Sequence, residues 1–315
     1  MTQYFEPIPY SLWQSDKAGF AAALGRSFRE TGFAVITGHP VAQKTIDDNL
    51  AATKAFFALP TEAKEKYHDA PGGRQRGYTP FGTENAKGQA QADLKEFWHT
   101  GRDLPPRSPY RDTMKDTPSV VEVADFDRAT RALYAALDAF GAELLKGVAL
   151  HLNLPETWFD DKVNFGNSIL RLLHYPPQMD PPPAGSVRAG AHEDINVITL
   201  LLGAEEAGLE VKHRSGKWLA VNPPPGALVI NCGDMLQRYT GGVLPSTTHR
   251  VVNPAPERSR FPRYSTPFFL HFNQDFSIEA LPGCLAEGGK AEKPITAQDF
   301  LMERLRDIGL VKERS

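Results

Sequence analysis

Between residues 168 and 272 the sequence breaks into short apolar runs punctuated by glycine, proline and asparagine. They are SILRLLHY (168–175), INVITLLLG (195–203), GLEVKH (208–213), KWLAVN (217–222), GALVINCG (226–233), STTHRVVN (246–253) and RYSTPFFLHF (263–272). Seven or eight strands at this spacing predict a sandwich or barrel. The prolines at 181–183 and 223–225 fall between the runs, where a missing N–H does not interrupt a ladder.

Upstream of residue 165 the pattern is mostly helical. KAGFAAALGRSFRET (17–31) and VAQKTIDDNLAATKAFFAL (41–59) carry apolar residues at helical spacing, and FAVITGH (33–39) between them reads as a strand. The second helix stops at Pro60, and Thr61 is placed to cap a short following turn. Residues 69–90, rich in glycine and polar side chains, read as loop, and DLKEFWHTGRDLP (93–105) as a short strand and turn. The longest helix spans 125–154, with Leu133, Ala136, Leu137, Phe140, Leu144 and Leu145 on one face. A last helix covers 296–309. The expected architecture is mainly β with flanking helices. It has a mostly helical N-terminal region (1–164) packed on an antiparallel β core (165–280), and a C-terminal helical segment (281–315).

Composition excludes several classes. With 35 basic and 38 acidic residues the net charge is −3, without the basic excess of a nucleic-acid footprint. No apolar run approaches the roughly 18–20 residues of a membrane span. The start, MTQYFEPIPYSLWQ, lacks the basic and apolar regions of a signal peptide. Two cysteines, Cys232 and Cys284, cannot form a disulfide framework and read as small buried hydrophobes, so a cytoplasmic home is expected.

The stretch AHEDINVITLL (191–201) sets three polar residues directly before an apolar run. At the start of a strand, His192 and Asp194 share a face and Glu193 points away. An imidazole and a carboxylate on one face make two metal ligands. His249, 57 residues later in STTHRVVNP, supplies a third. Two imidazoles and one carboxylate leave three positions of an octahedron open, the facial arrangement of non-haem Fe(II) oxygenases. H-x-D alone is a weak signal and is also met in hydrogen-bonded turns. In RYSTPFFLHF, Arg263 and Ser265 again share a face, and a guanidinium fork beside a hydroxyl suits a carboxylate. An outward, solvated Arg263 is the plainer alternative.

In combination, His192-x-Asp194, His249 and Arg263-x-Ser265 resemble the isopenicillin N synthase-like branch of the 2-oxoglutarate- and Fe(II)-dependent oxygenases. RLLHYPP, NCGDMLQRYTGG, THRVVNP, GFAVITGH, RGYTP and LKEFWH also resemble family blocks, from about residue 5 to about 275. The resemblance implies a double-stranded β-helix (jelly roll), with Fe(II) held by His192, Asp194 and His249. Arg263, Ser265 and Tyr175 would bind the distal carboxylate of 2-oxoglutarate. Where many plant members have Asn two positions before that tyrosine, this chain has Leu173. The implied reaction couples oxidative decarboxylation of 2-oxoglutarate by O2 to oxidation, usually hydroxylation, of a small molecule.

Other readings share these residues. An isopenicillin N synthase-like oxidase would use no 2-oxoglutarate, and Arg263 and Ser265 would hold a substrate carboxylate. A non-catalytic sensor would keep the ligand sites without turnover. A zinc hydrolase would need a general base, and Glu193 should face the wrong way. On the substrate side, Arg76, Tyr78, Phe97 and Trp98 are candidate pocket residues, with core packing (Phe97, Trp98) and solvation (Arg76) as alternatives. His174 and His271 read as core or supporting groups, His151 and His213 as peripheral, and Asp234 as a turn former.

Overall fold

The computed structural model describes residues 4–68, 75–83, 94–177, 188–202, 208–253 and 259–307. The N-terminal part gives β1 (Pro7–Pro9), α1 (Ser11–Ser15), α2 (Lys17–Thr31), β2 (Phe33–Thr37), α3 (Gln43–Phe57), α4 (Thr61–Glu65), β3 (Gly77–Thr79) and β4 (Glu96–Gly101). After α5 (Phe126–His151) and α6 (Asp160–Val163) come β5 (Ile169–Tyr175), β6 (Ala189–His192), β7 (Ile198–Leu202), β8 (Leu209–Lys212), β9 (Trp218–Ala220) and β10 (Leu228–Cys232). The rest is α7 (Asp234–Tyr239), β11 (His249–Val251), β12 (Arg263–Ser265), β13 (Pro267–Leu270), β14 (Ser277–Ile278), α8 (Pro282–Ala286), β15 (Ile295–Thr296) and α9 (Ala297–Asp307).

Local chemistry sets α2 within its predicted limits. The Asp16 carboxylate accepts from Gly19 N at 2.9 Å, and Gly32 closes the helix in the left-handed region (φ 73°). Thr61 does not cap α4. Pro60 holds the cap position and Thr61 is the first helical residue, because the Pro60 carbonyl accepts the first helical hydrogen bonds, from Ala63 N at 3.0 Å and Lys64 N at 3.3 Å. The prolines at 181–183 and the end of the last predicted helix, 308–309, lie outside the described residues.

Two sheets face one another as a jelly roll. The larger has the order β1-β2-β10-β7-β13-β5-β4-β3, with β12 also on β5; the smaller has the order β6-β11-β8-β9. The N-terminal region thus supplies strands as well as helices to the larger sheet: β2 pairs antiparallel with β10, and β4 with β5. Within the stretch expected to be loop, Gly77–Thr79 forms β3 against β4. Three residues carry no readable period, so this strand exists through its pairing rather than its own pattern.

Strand alternation divides the larger sheet's side chains between two environments. On the face toward the smaller sheet, Phe33, Val35 and Val229 pack with Val211 and Val221. On the other face, Ala34, Ile36, Trp98, Leu170, Leu172, Leu200, Phe268 and Leu270 join the helices in the main core. There α5 lies close to the sheet, because Gly141 has no side chain where a Cβ would fall 2.6 Å from Leu270. Phe56 packs edge-on to Trp98, and Trp98 to Phe126, at ring distances of 5.0 and 5.1 Å. Cys232 and Cys284 are free and buried, as expected. Among the described residues no helix is long and apolar enough to cross a membrane.

Candidate active site

His192 is the last residue of β6 and pairs directly with His249 on β11, so their rings stand 4.4 Å apart on one sheet. Asp194 lies beyond the strand, where the chain leaves the smaller sheet for β7 in the larger one. This corrects the expectation that both residues open one strand: a crossing between sheets, not strand alternation, brings them together. Glu193 is exposed and accepts a hydrogen bond from the Thr248 hydroxyl, facing away as expected.

Ligand-type atoms of His192, Asp194 and His249 lie within 4.8 Å of one another. The His192 Nδ1–H donates to Gly190 O at 2.7 Å, and that of His249 to Thr247 O at 3.1 Å. A carbonyl can only accept, so in both rings Nδ1 carries a proton and Nε2 is the nitrogen left for a metal. Both Nε2 atoms face the carboxylate, at 3.8 Å from Oδ1 and 3.9 Å from Oδ2. Burial, then the neighbouring His192, keeps His249 below its usual pKa and therefore neutral. Burial opposes the charge of Asp194, yet His249, His192, Asn231 and Thr199 together hold its carboxyl below the usual range. Two imidazoles and one carboxylate with converging donor atoms fit a divalent iron.

In the larger sheet, β12 runs antiparallel to β5, with Arg263 opposite Tyr175 and Ser265 opposite Leu173. Phe97, Leu173 and Tyr175 form their own cluster on the face away from the helices. Arg263, Ser265 and Tyr175 are all buried. The Arg263 guanidinium sits 5.2 Å from the centre of the Tyr175 ring, and that of buried Arg188 5.7 Å from it. The structure therefore brings the predicted carboxylate-binding residues together and turns Arg263 inward rather than to solvent.

Of the three candidate substrate residues on strands, Phe97 faces the barrel interior. Trp98 and Tyr78 point to the other side of the sheet, into the main core. There Trp98 Nε1 donates to Thr100 Oγ1 at 3.0 Å, and the Tyr78 hydroxyl donates to Glu96 Oε2 at 2.5 Å. Arg76 is buried against Gly101, where a Cβ would come within 2.0 Å of its guanidinium carbon. Gly101 pairs with Ile169, six residues from Tyr175 on β5 and so roughly 20 Å along the strand at about 3.3 Å per residue. Arg76 Nη2 donates to Asn167 Oδ1 at 2.8 Å, and burial pulls its pKa down to about 10. The expectation of pocket lining is thus corrected for Tyr78 and Trp98, because alternation shows which residues share a face but not which face is interior, while Arg76 lies on the Phe97 side of β4 but at its far end.

Sequence reasoning passed over four interior polar residues. Thr199 and Asn231 hydrogen-bond Asp194. Arg171 donates from Nε to His99 Nε2 at 2.7 Å, with its guanidinium 4.4 Å from the Phe97 ring and 5.3 Å from the Phe269 ring. The available signal was a polar residue inside an otherwise apolar strand, as in ITLLL and LVINC, since such a group is buried only with a partner.

Residues 166–272 match the family model of the 2OG-Fe(II) oxygenase superfamily, and residues 7–122 match the model described as non-haem dioxygenase in morphine synthesis N-terminal. A 2-oxoglutarate-Fe(II) type oxidoreductase of Aspergillus fumigatus is 32% identical over 312 residues, covering 95% of this chain and 91% of its own length. The chain belongs to the 2OG-Fe(II) oxygenase superfamily. A solved structure of a 2OG-Fe(II) oxygenase family protein from Caulobacter crescentus is 51% identical to this oxygenase, with a TM-score of 0.90 over 98% of this chain and all (100%) of that one. A full-length Neurospora crassa protein, solved in complex with alpha-KG and thymine, is 28% identical with a TM-score of 0.84, covering 95% of this chain and 96% of that one. This oxygenase is a 2-oxoglutarate-dependent Fe(II) dioxygenase, with Fe(II), 2-oxoglutarate and O2 as its reaction partners.

Proposed function

We propose that His192, Asp194 and His249 ligate the Fe(II), that Arg263, Ser265 and Tyr175 bind the distal carboxylate of 2-oxoglutarate, and that the oxygenase hydroxylates a small molecule in the space beside Phe97. The observation that carries this reading is the convergence of three donor groups within 4.8 Å, both imidazoles presenting Nε2 to the carboxylate. Iron supplies the oxidative decarboxylation and C–H oxidation chemistry; the chain supplies position and shelter from water. Arg263 offers a planar fork in a buried setting, where pairing with a carboxylate offsets the cost of desolvating the guanidinium. Phe97, His99, Arg171 and Phe269 form a mixed aromatic and polar wall suited to a small substrate with one flat face. The Neurospora crassa relative accommodates thymine beside alpha-KG, a ligand of that size.

The test is anaerobic. Protein loaded with Fe(II) is titrated with 2-oxoglutarate while the visible charge-transfer band is followed, and the titration is repeated with Arg263→Ala. A saturable band, weakened in the variant, supports the assignment. Bound iron without a band in the wild type would transfer Arg263 and Ser265 to a substrate carboxylate.

A further inference from the structure

The carboxylate of Asp194 is held unevenly. Its Oδ2 accepts from Thr199 Oγ1 at 2.6 Å and from Asn231 Nδ2 at 2.8 Å. Thr199 on β7 and Asn231 on β10 are direct cross-strand partners, so neighbouring strands of the larger sheet aim both donors at one atom. Both residues are buried, at 3% and 4% exposure. The single hydroxyl proton of Thr199 goes to Oδ2, and its oxygen receives Asn196 Nδ2–H at 3.2 Å, which fixes the rotamer. Asn196, 1% exposed, is itself anchored by donating to Ile198 O at 2.6 Å.

A carboxylate oxygen has two in-plane lone pairs, and two hydrogen bonds occupy both. We infer that Thr199 and Asn231 are positioning residues that reserve Oδ2, so that Asp194 binds the metal through Oδ1 alone. The inference rests on the reading of Asp194 as a ligand. Its consequence is coordination space. An octahedral metal with three single-atom protein ligands keeps three positions, two for a chelating 2-oxo acid and one for O2. If Oδ2 were released to chelate, one of these would close. The two donors therefore protect co-substrate binding rather than metal binding.

That asymmetry is the test. Thr199→Val keeps the side-chain shape and deletes the donor, Thr199→Ser restores a hydroxyl, and Asn231→Ala removes the other donor. Metal affinity is measured with Fe(II) and Co(II) by chelator competition, coordination number from the Co(II) visible spectrum, and 2-oxoglutarate affinity from the anaerobic charge-transfer titration. In Thr199→Val and the double variant, metal affinity should be kept or raised. Affinity for 2-oxoglutarate should fall, with Thr199→Ser close to wild type. Unchanged 2-oxoglutarate affinity in the double variant overturns the inference. So does parallel loss of metal, co-substrate and melting temperature, which marks a structural role only. If His192→Ala binds metal as tightly as wild type, the ligand set itself fails, and the inference falls with it.

Discussion

Glu96 and His174 face each other across β4 and β5, with His174 Nδ1 2.7 Å from Glu96 Oε1, while Lys64 Nζ reaches Oε2 at 2.8 Å. This buried group lies on the helix side of the sheet, and His174 stacks on Tyr264, the residue between Arg263 and Ser265, at 4.9 Å. It ties the strands that carry the proposed co-substrate residues to α4. Burial pushes the Glu96 carboxyl up, but His174, Lys64 and Tyr78 outweigh it and hold the pKa below its ordinary value. A carboxyl depressed in the folded state stabilises the fold above the unfolded value of about 4.3, and that contribution is lost as pH falls through the folded value. Glu96→Gln should therefore lower unfolding free energy at neutral pH by roughly 3–5 kcal/mol, as for a broken buried pair. The gap to wild type should narrow below about pH 4. Urea denaturation at a series of pH values checks this; a gap independent of pH would refute it.

His192→Ala and Asp194→Ala should lose stoichiometric Fe(II) and all iron-dependent turnover while keeping the far-ultraviolet circular dichroism of the wild type. His192 ends a strand and is partly exposed, so its truncation leaves little cavity. Full activity in either variant would contradict the ligand assignment.

Tyr175→Phe removes one hydroxyl from the inferred carboxylate site and leaves the ring between Arg188 and Arg263 in place. A hydrogen bond to a charged group contributes about 1.5–3 kcal/mol, so the dissociation constant for 2-oxoglutarate should rise on the order of tenfold or more. The charge-transfer titration reads this directly, with circular dichroism as control.

Gly233→Ala should damage the site from outside it. A Cβ there would fall 2.1 Å from Asn196 O, a backbone atom with no room to move, and Asp234 N next door donates to Asp194 O at 2.7 Å. Overpacking of this kind costs roughly 1–3 kcal/mol. We expect a lower melting temperature together with weaker Fe(II) binding, read by calorimetry and chelator competition.

Trp98→Ala should cost roughly 3–5 kcal/mol, the usual range for truncating a core aromatic. Enough folded protein should persist at low temperature to show wild-type affinity for 2-oxoglutarate, because Trp98 points into the helical layer. Altered affinity without loss of stability would return Trp98 to the pocket.

Much of this protein was legible in short stretches of residues. Asp16 and Gly32 mark the ends of α2, the alternation in SILRLLHY and RYSTPFFLHF sets side chains two apart on one face, and the types and order of His192, Asp194, His249 and Arg263 point to the chemistry. These are local properties of caps, periods and side-chain chemistry, and a short window of sequence contains them. Tertiary structure decided the rest. β6, reading AGAH, has no apolar alternation and exists because β11 pairs with it. His192 and Asp194 meet because the chain changes sheets between them. Thr199 and Asn231 converge on one oxygen because β7 and β10 are neighbours in the sheet, although β8 and β9 lie between them in the chain. Which residue of β4 faces the barrel interior, Phe97 or Trp98, was fixed only when the second sheet covered one side and α3 and α5 the other. A strand's two-residue period defines two faces, and long-range packing chooses between them.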